Sequence, residues 1–178
     1  LTNQSFVKND GIITVEKGYG IYALASNVEN NGSITSNNYG IYATKYSNAA
    51  PFSTVINNGS VTIGSNGIGI QLSQAIGENN GKIIIAGNNV TGVSVFGGGA
   101  YEGRFTNNSD IISGSDKTGI TLVKLSGSTT AGDKTAHVYN NAALTALGDN
   151  SIAIYSTNNG KIHNTGDITV NNGIGIKL

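Results

Sequence analysis

The sequence contains no cysteine, no methionine and no tryptophan, and it has a single proline among 178 residues. Without cysteine the chain has no disulfide framework, no thiolate zinc site and no cysteine nucleophile. Charged residues make up only 11%, and ten basic residues balance ten acidic ones. This balance provides no basic footprint for nucleic acid and no polybasic patch for an anionic membrane. The longest uninterrupted aliphatic run is Ile83–Ala86, which is too short for a transmembrane helix.

Glycine and asparagine dominate what remains, with 26 and 25 residues, and both favour turns. Isoleucine, leucine, valine and phenylalanine together number 45, and 22 of them are isoleucine. That much aliphatic surface indicates a folded chain rather than a disordered one. At this length we expect one unit spanning residues 1–178. Because the sequence has no initiator methionine and no signal peptide, we expect that unit to be a segment of a longer protein.

A repeat organises the whole chain. An asparagine, followed by a second asparagine or a similar turn residue, then usually by a glycine and then by a β-branched stretch, recurs seven times. The copies are between 21 and 33 residues apart, with a mean near 26. Repeats of this length are typical of stacked architectures, because one short unit cannot bury its own apolar face. The first asparagines of the copies are Asn9, Asn30, Asn57, Asn79, Asn107, Asn140 and Asn164.

Apolar residues alternate with other residues after each asparagine. The position four residues downstream is aliphatic in every copy, and the position two further on is apolar or small. A second block follows, in which glycine or serine comes first and a β-branched residue second. Alternation with period two indicates strands with one buried face, and no segment has a helical period. The seven blocks begin at Gly20, Gly40, Gly67, Gly92, Gly119, Ser151 and Gly173.

These patterns predict an all-β fold, a right-handed parallel β-helix (a solenoid) in which each copy forms one coil. Like strands of successive coils would pair in parallel, so seven coils would make a rod roughly 34 Å long. A propeller blade needs about 40 residues, which is longer than this repeat. Leucine-rich repeats are also disfavoured, because the chain has only eight leucines. We expect the second residues of the seven blocks to form one buried column.

The asparagine column predicts a hydrogen-bonded ladder. Counted from the aliphatic positions, the first asparagine of every copy faces inward at a corner of the coil. A lone buried asparagine would leave its amide unpaired at a cost of roughly 1–3 kcal/mol. Stacked asparagines avoid this cost, because each amide can donate to one neighbour and accept from the other. The alternative is that the asparagine–glycine pairs only mark hairpin turns.

The segment Val28–Thr35, followed by Tyr39–Ala43, resembles the repeats of type V autotransporter passenger domains, most of all those of the very large fusobacterial adhesins. The resemblance covers Val7 to Leu178 and includes the bias toward asparagine, glycine, threonine, serine and isoleucine. It implies a β-helix stalk displayed on a Gram-negative surface by a C-terminal membrane barrel that this chain lacks. It also implies adhesion to host cells or other bacteria, and in some members toxicity or proteolysis.

The sequence offers no arrangement for catalysis. A nucleophilic triad needs a base near the nucleophile, and the two histidines, His137 and His163, are interpreted as surface or structural residues. Polysaccharide cleavage needs clustered carboxylates, but the best pair, Asp110 and Asp167, belongs to copies that are not adjacent. We therefore expect no enzyme, no cofactor and no metal. A polysaccharide-acting β-helix enzyme and a pore-forming or cytotoxic passenger are the alternative functions.

Three insertions follow the second strand block, at Lys45–Thr54, Gly97–Arg104 and Lys124–Ala136. Loops carry binding more often than regular faces do, and aromatic and arginine side chains dominate binding energies. We expect the loops to emerge along one edge of the rod and to bind a host-cell receptor protein, a glycan or the surface of another bacterium. The alternative is that the loop aromatics only cover an open edge of the core. The candidate contact residues are Tyr46, Phe52, Tyr101, Arg104, Lys124 and Lys134.

Two outward tyrosines, Tyr22 and Tyr42, occupy the same position in adjacent copies and are predicted to stack. We expect the chain to act outside the cell as a monomer, anchored to the outer membrane only in its full-length form. Nucleic acid is not expected as a partner, since the basic residues are few and balanced.

Overall fold

The computed structural model describes residues 5–45 and 52–178 of the chain. Within those ranges every regular element is a β-strand, and there is no helix. The strands are short because asparagine, glycine and serine interrupt the β-branched runs at the corners. In chain order they are β1 (Phe6–Asn9), β2 (Ile12–Val15), β3 (Tyr19–Leu24), β4 (Asn27–Asn30), β5 (Ser33–Ser36), β6 (Tyr39–Thr44), β7 (Thr54–Asn57), β8 (Ser60–Ile63), β9 (Ile68–Ser73), β10 (Ile76–Asn79), β11 (Ile83–Ile85), β12 (Thr91–Phe96), β13 (Gly103–Asn107), β14 (Ile111–Ser113), β15 (Thr121–Ser126), β16 (Ala136–Asn140), β17 (Leu144–Thr157), β18 (Lys161–Asn164) and β19 (Ile168–Lys177).

The strands pair in parallel and form three stacks. The first stack is a seven-stranded sheet in the order β1-β4-β7-β10-β13-β16-β18. The second stack, β2-β5-β8-β11-β14, and the third, β3-β6-β9-β12-β15, join because the long strand β17 pairs with both and continues round a corner. β19 pairs with β17 along both parts. The described part of the chain thus winds through seven coils, which confirms the predicted parallel β-helix.

The core lies inside the rod, where the aliphatic side chains of successive coils stack on one another. The position four residues after each asparagine is fully buried in coils 2 to 6, where it holds Ile34, Val61, Ile83, Ile111 and Leu144. The largest fully buried side chain, Phe105, pairs in register with Gly77 of the preceding coil. A side chain at Gly77 would meet Leu72 at 2.5 Å. One coil therefore leaves space that the next coil fills, as dense packing requires.

The inward asparagines form the inner ladder, which runs through all seven coils. Each side-chain amide donates to the carbonyl oxygen of the next asparagine over 2.6–2.8 Å, from Asn9 to Asn164. In several coils the same amide also donates to a backbone carbonyl two residues on, as Asn57 does to Gly59. Asn30, Asn57, Asn79, Asn107 and Asn140 are fully buried. Buried amides at this corner are therefore paired along the rod.

A second ladder, the outer ladder, stands one residue further along each coil and faces solvent. Its asparagine amides donate over 2.9–3.1 Å to the residue in the preceding coil, so its direction is opposite to that of the inner ladder. Its members are Asp10, Asn31, Asn58, Asn80, Asn108, Asn141 and Thr165. The residue type is the same in both ladders over five coils, but only the inner ladder is buried.

The second strand block departs from the predicted alignment in four coils. The column of paired residues that starts at Ile21 and Ile41 continues through Ile70, Val93, Val123, Ile154 and Ile176, and it is buried as far as Ile154. The predicted members Ile68, Ile120, Ile152 and Ile174 lie two or three positions earlier, so the predicted single column is wrong, although Ile120 itself is fully buried. Strict alternation fails because two consecutive residues, such as Gly69 and Ile70, point inward. A Cβ on Gly69 would lie 2.3 Å from the carbonyl oxygen of Gly92, so the coils approach too closely there for a side chain.

Candidate functional site

The insertions leave the rod along one edge, because they follow strands that are close neighbours in one stack. β6, β9, β12 and β15 lie side by side, and the insertions follow β6, β12 and β15. The two described loops comprise residues 97–102 and 127–135. Most of the first insertion, with its candidate residue Tyr46, lies outside the described residues.

Three side chains from two of the insertions meet at this edge and are called the loop cluster: Lys45, Phe52 and Tyr101. The Phe52 and Tyr101 rings are 5.3 Å apart in an edge-on arrangement. The Lys45 Nζ lies 3.4 Å from the centre of the Tyr101 ring, which is a cation–π contact. Burial lowers the pKa of the Lys45 ammonium. All three side chains are half-buried, so they form a packed surface feature rather than separate exposed tips.

Backbone and side-chain hydrogen bonds join the two described loops to each other and to the coil below. The Lys134 backbone N–H donates to the Gly99 carbonyl oxygen over 2.8 Å. The Gln74 side-chain amide, from the coil without an insertion, donates to the Gly98 carbonyl oxygen over 2.5 Å. Within the second loop the Ser128 hydroxyl donates to the Asp133 carboxylate. The two described loops, together with Lys45 and Phe52 of the first insertion, thus form one connected surface, and the Lys134 side chain is exposed on it.

Two of the candidate residues are not in loops, which corrects the sequence prediction. Arg104 is the second residue of β13, where it faces outward and pairs with His137 of the next coil. Its guanidinium is 3.9 Å from the Glu102 carboxylate. Lys124 lies within β15 and faces outward on a regular face, in register with Tyr155. Both insertions are shorter than predicted because the strands that flank them extend further than the repeat comparison indicates.

A cluster of four tyrosines on the outside of the third stack, the tyrosine cluster, was only half predicted. Tyr22 and Tyr42 stack at 5.5 Å with an interplanar angle of 13°, which confirms the expected pair. Tyr19 and Tyr39 form a second stacked pair at 5.0 Å, and their rings also contact the first pair. Tyr19 and Tyr22 are 44% and 51% exposed. The signal was available, since Tyr19 and Tyr39 both stand immediately before the glycine of the second block.

Groups that could support chemistry are sparse. Residues 5–45 and 52–178 contain no set of three or more histidine, aspartate or glutamate side chains that could hold a metal ion. The sixth coil separates Asp110 from Asp167, because β17 lies between β14 and β19. His163 is exposed and His137 is half-buried, and both lie on the outside of the first stack.

In the described ranges there is no helix that is long and apolar enough to cross a membrane. Comparison with family models, with curated proteins and with solved structures gives no match to this chain.

Proposed function

We propose that this chain is a non-catalytic segment of a surface-displayed adhesin or virulence stalk of the autotransporter type. It would act outside the bacterial cell as a monomeric rod that mediates attachment to host cells or to other bacteria. Its partner would be a host receptor protein, a glycan or another bacterial surface. The low charge and the repetitive faces of the rod suit a spacer, while a spacer alone offers little to distinguish one partner from another.

The observation that carries this proposal is the connected loop surface on an otherwise regular rod. The loop cluster places two aromatic rings and an ammonium side by side, and tyrosine is among the residue types enriched where protein interfaces gain most of their binding energy. A loop edge that spans several coils also gives a partner a larger footprint than any single loop. We therefore place the recognition surface on residues 97–102 and 127–135 with the loop cluster.

The test compares Tyr101→Ala with Tyr155→Ala in a cell-attachment assay. Tyr155 is a matched control because it is also half-buried and lies under a lysine, Lys177, whose Nζ is 5.2 Å from the ring centre. Purified wild-type chain, labelled with a fluorophore, is incubated with cultured epithelial cells and with bacterial cells. We expect Tyr101→Ala to lose attachment while its melting temperature stays near that of the wild type. Tyr155→Ala should keep attachment.

Two results would contradict the proposal. If the wild-type chain attaches to neither kind of cell, the segment is not adhesive. If Tyr101→Ala instead lowers the melting temperature and keeps attachment, the loop cluster only covers the core and the segment is a stalk.

A further inference from the structure

The outer face of the first stack is polarised in charge along the rod. Glu29 and Glu78 occupy outward positions in coils 2 and 4, and Lys8 in coil 1 is paired with the Asp10 carboxylate at 3.0 Å. Coils 5 to 7 carry instead the only arginine of the chain, both histidines and a lysine on the same face. The chain has no net charge, and these four side chains lie together on three adjacent coils of one face, whereas Lys8 at the other end is neutralised by Asp10.

The basic residues stand in register on adjacent strands. Arg104 pairs with His137 across β13 and β16, and His137 pairs with Lys161 across β16 and β18. Because parallel strands are about 4.8 Å apart, the column extends roughly 10 Å along the rod axis. The neighbouring column pairs Tyr139 with His163. A shallow groove runs over β16 and β18, lined on its outer side by His137, Tyr139, Lys161 and His163.

Ring contacts hold the groove in shape. The Tyr139 ring lies 6.5 Å from the His137 ring at an interplanar angle of 18°, and 6.1 Å from the His163 ring. Tyr139 itself is 39% exposed. The tyrosine hydroxyl and the imidazole rings can both donate and accept hydrogen bonds, as a ligand rich in hydroxyl groups requires. The groove is therefore a stacked, polar and basic surface on a rigid sheet.

The positive charge of the groove is poorly compensated. The Arg104 guanidinium forms only a long ion pair, 3.9 Å from the Glu102 carboxylate. In the described part of the chain no carboxylate lies within ion-pair distance of Lys161, His137 or His163. Exposed cations that have no close carboxylate partner can bind an external anion without first breaking a strong internal ion pair.

We propose that Arg104, His137, Tyr139, Lys161 and His163, the basic groove, bind an acidic polysaccharide. Its sulfate or carboxylate groups would pair with the two strong cations, and its hydroxyl groups would hydrogen-bond to the imidazoles and the tyrosine. The sugar chain would lie along the rod axis over coils 5 to 7, because Glu78 makes coil 4 unfavourable for an anion. This inference deepens the proposed adhesive function by naming a ligand class, but it uses a different surface from the loop cluster.

The size of the groove favours a polysaccharide over other polyanions. Duplex nucleic acid is bound by longer basic stripes in proteins with a clear excess of positive charge, and this chain has no net charge. An anionic membrane needs clusters of about 4–8 lysine or arginine residues, and the groove holds two. The hydroxyl and imidazole donors between the cations match a ligand whose charges alternate with hydroxyl groups.

The experiment measures binding of the intact 178-residue chain to immobilised heparin, a sulfated polysaccharide, at low ionic strength. The test variant is Arg104→Gln with Lys161→Gln, and the matched control is Lys17→Gln with Lys82→Gln. Both pairs remove two exposed cations, so the change in net charge is the same. Two exposed ion pairs correspond to a loss on the order of tenfold in affinity for the test variant. The control should keep the wild-type affinity, and added salt should weaken wild-type binding.

The inference is overturned if wild-type chain does not bind heparin, or if the control pair loses as much affinity as the test pair. It is also overturned if duplex DNA of similar length competes as well as free heparin does. Circular dichroism and the melting temperature confirm that the test variant is folded, and Lys161→Gln alone serves if the double variant is not. Heparin binding that survives Tyr101→Ala separates this inference from the proposed role of the loop cluster.

Discussion

The inner ladder makes a sharp prediction about Asn79, which lies in the middle of the rod. Its side chain is fully buried, accepts a hydrogen bond from Asn57 at 2.7 Å and donates one to Asn107 at 2.8 Å. In Asn79→Ala both bonds are lost, and the core retains one amide hydrogen and one carbonyl oxygen without a partner. Each buried group left in this way costs about 1–3 kcal/mol. We expect the free energy of unfolding to fall by roughly 3–5 kcal/mol.

The neighbouring residue provides a matched control. Asn80 belongs to the outer ladder, where it donates to Asn58 at 3.1 Å and accepts from Asn108 at 3.0 Å. Asn80→Ala removes the same residue type and the same number of side-chain hydrogen bonds one position along the chain. Because the outer ladder faces solvent, water can replace the lost partners. We expect this variant to lose less than about 1 kcal/mol.

Equilibrium unfolding in guanidinium chloride, followed by circular dichroism, measures both variants. A change of midpoint at constant slope reports stability, whereas a changed slope would indicate that the coils no longer unfold together. Similar losses in Asn79→Ala and Asn80→Ala would refute the reasoning, because burial would then add nothing to the value of an asparagine ladder. A larger loss in Asn80→Ala would refute it more strongly.

Two further predictions concern other features of the rod. Gly69→Ala should lower the free energy of unfolding by about 1–3 kcal/mol, because the new Cβ would lie 2.3 Å from the Gly92 carbonyl oxygen. Gly11→Ala is the control, since a Cβ there meets no atom within 4 Å. In the same denaturant titration it should change the free energy of unfolding little. The pKa of Tyr42 is raised above its ordinary value of 10.0, mainly by burial and to a smaller extent by the neighbouring tyrosines. The neutral phenol is therefore favoured by folding, so its contribution is present below that pH and is lost as the pH rises through the raised pKa. As the pH rises above about 10, unfolding midpoints should fall more in wild type than in Tyr42→Phe, and equal falls would contradict this.

The fold could be predicted from the sequence because the same repeat occurs seven times. The asparagine column is spaced irregularly along the chain, but in the described residues the extra length lies in the loops 97–102 and 127–135, so the strands of adjacent coils still align. The inner ladder could be predicted for the same reason, since a buried amide needs a partner and only the next coil can supply it. The outer ladder shares the same residue type but faces water, where no unpaired amide demands a partner. Alternation alone therefore did not indicate it.

The register of the second block could not be predicted, because the sequence contains two competing glycine–isoleucine pairs in the third coil. Gly67–Ile68 and Gly69–Ile70 both match the block, and a strict period of two treats them as equivalent. In the structure Ile70 pairs with Ile41 of the preceding coil, whereas Ile68 pairs with Tyr39. Arg104 and Lys124 were misplaced for a related reason, since strand ends depend on pairing with the adjacent coil. The residue pattern of one coil gives no information about how its strands pair with the next coil.

The separation of stability from recognition follows from the way this rod is built. Each coil gains its stability from contacts with its two neighbours, through the core columns and the inner ladder, and these contacts lie inside. The loop cluster and the basic groove lie outside on different faces, and neither supplies a residue to the inner ladder. Substitutions on these surfaces can therefore change binding with little effect on unfolding, and Asn79→Ala should do the reverse. This independence is what lets one cell-attachment assay and one heparin assay assign binding to separate faces of the rod.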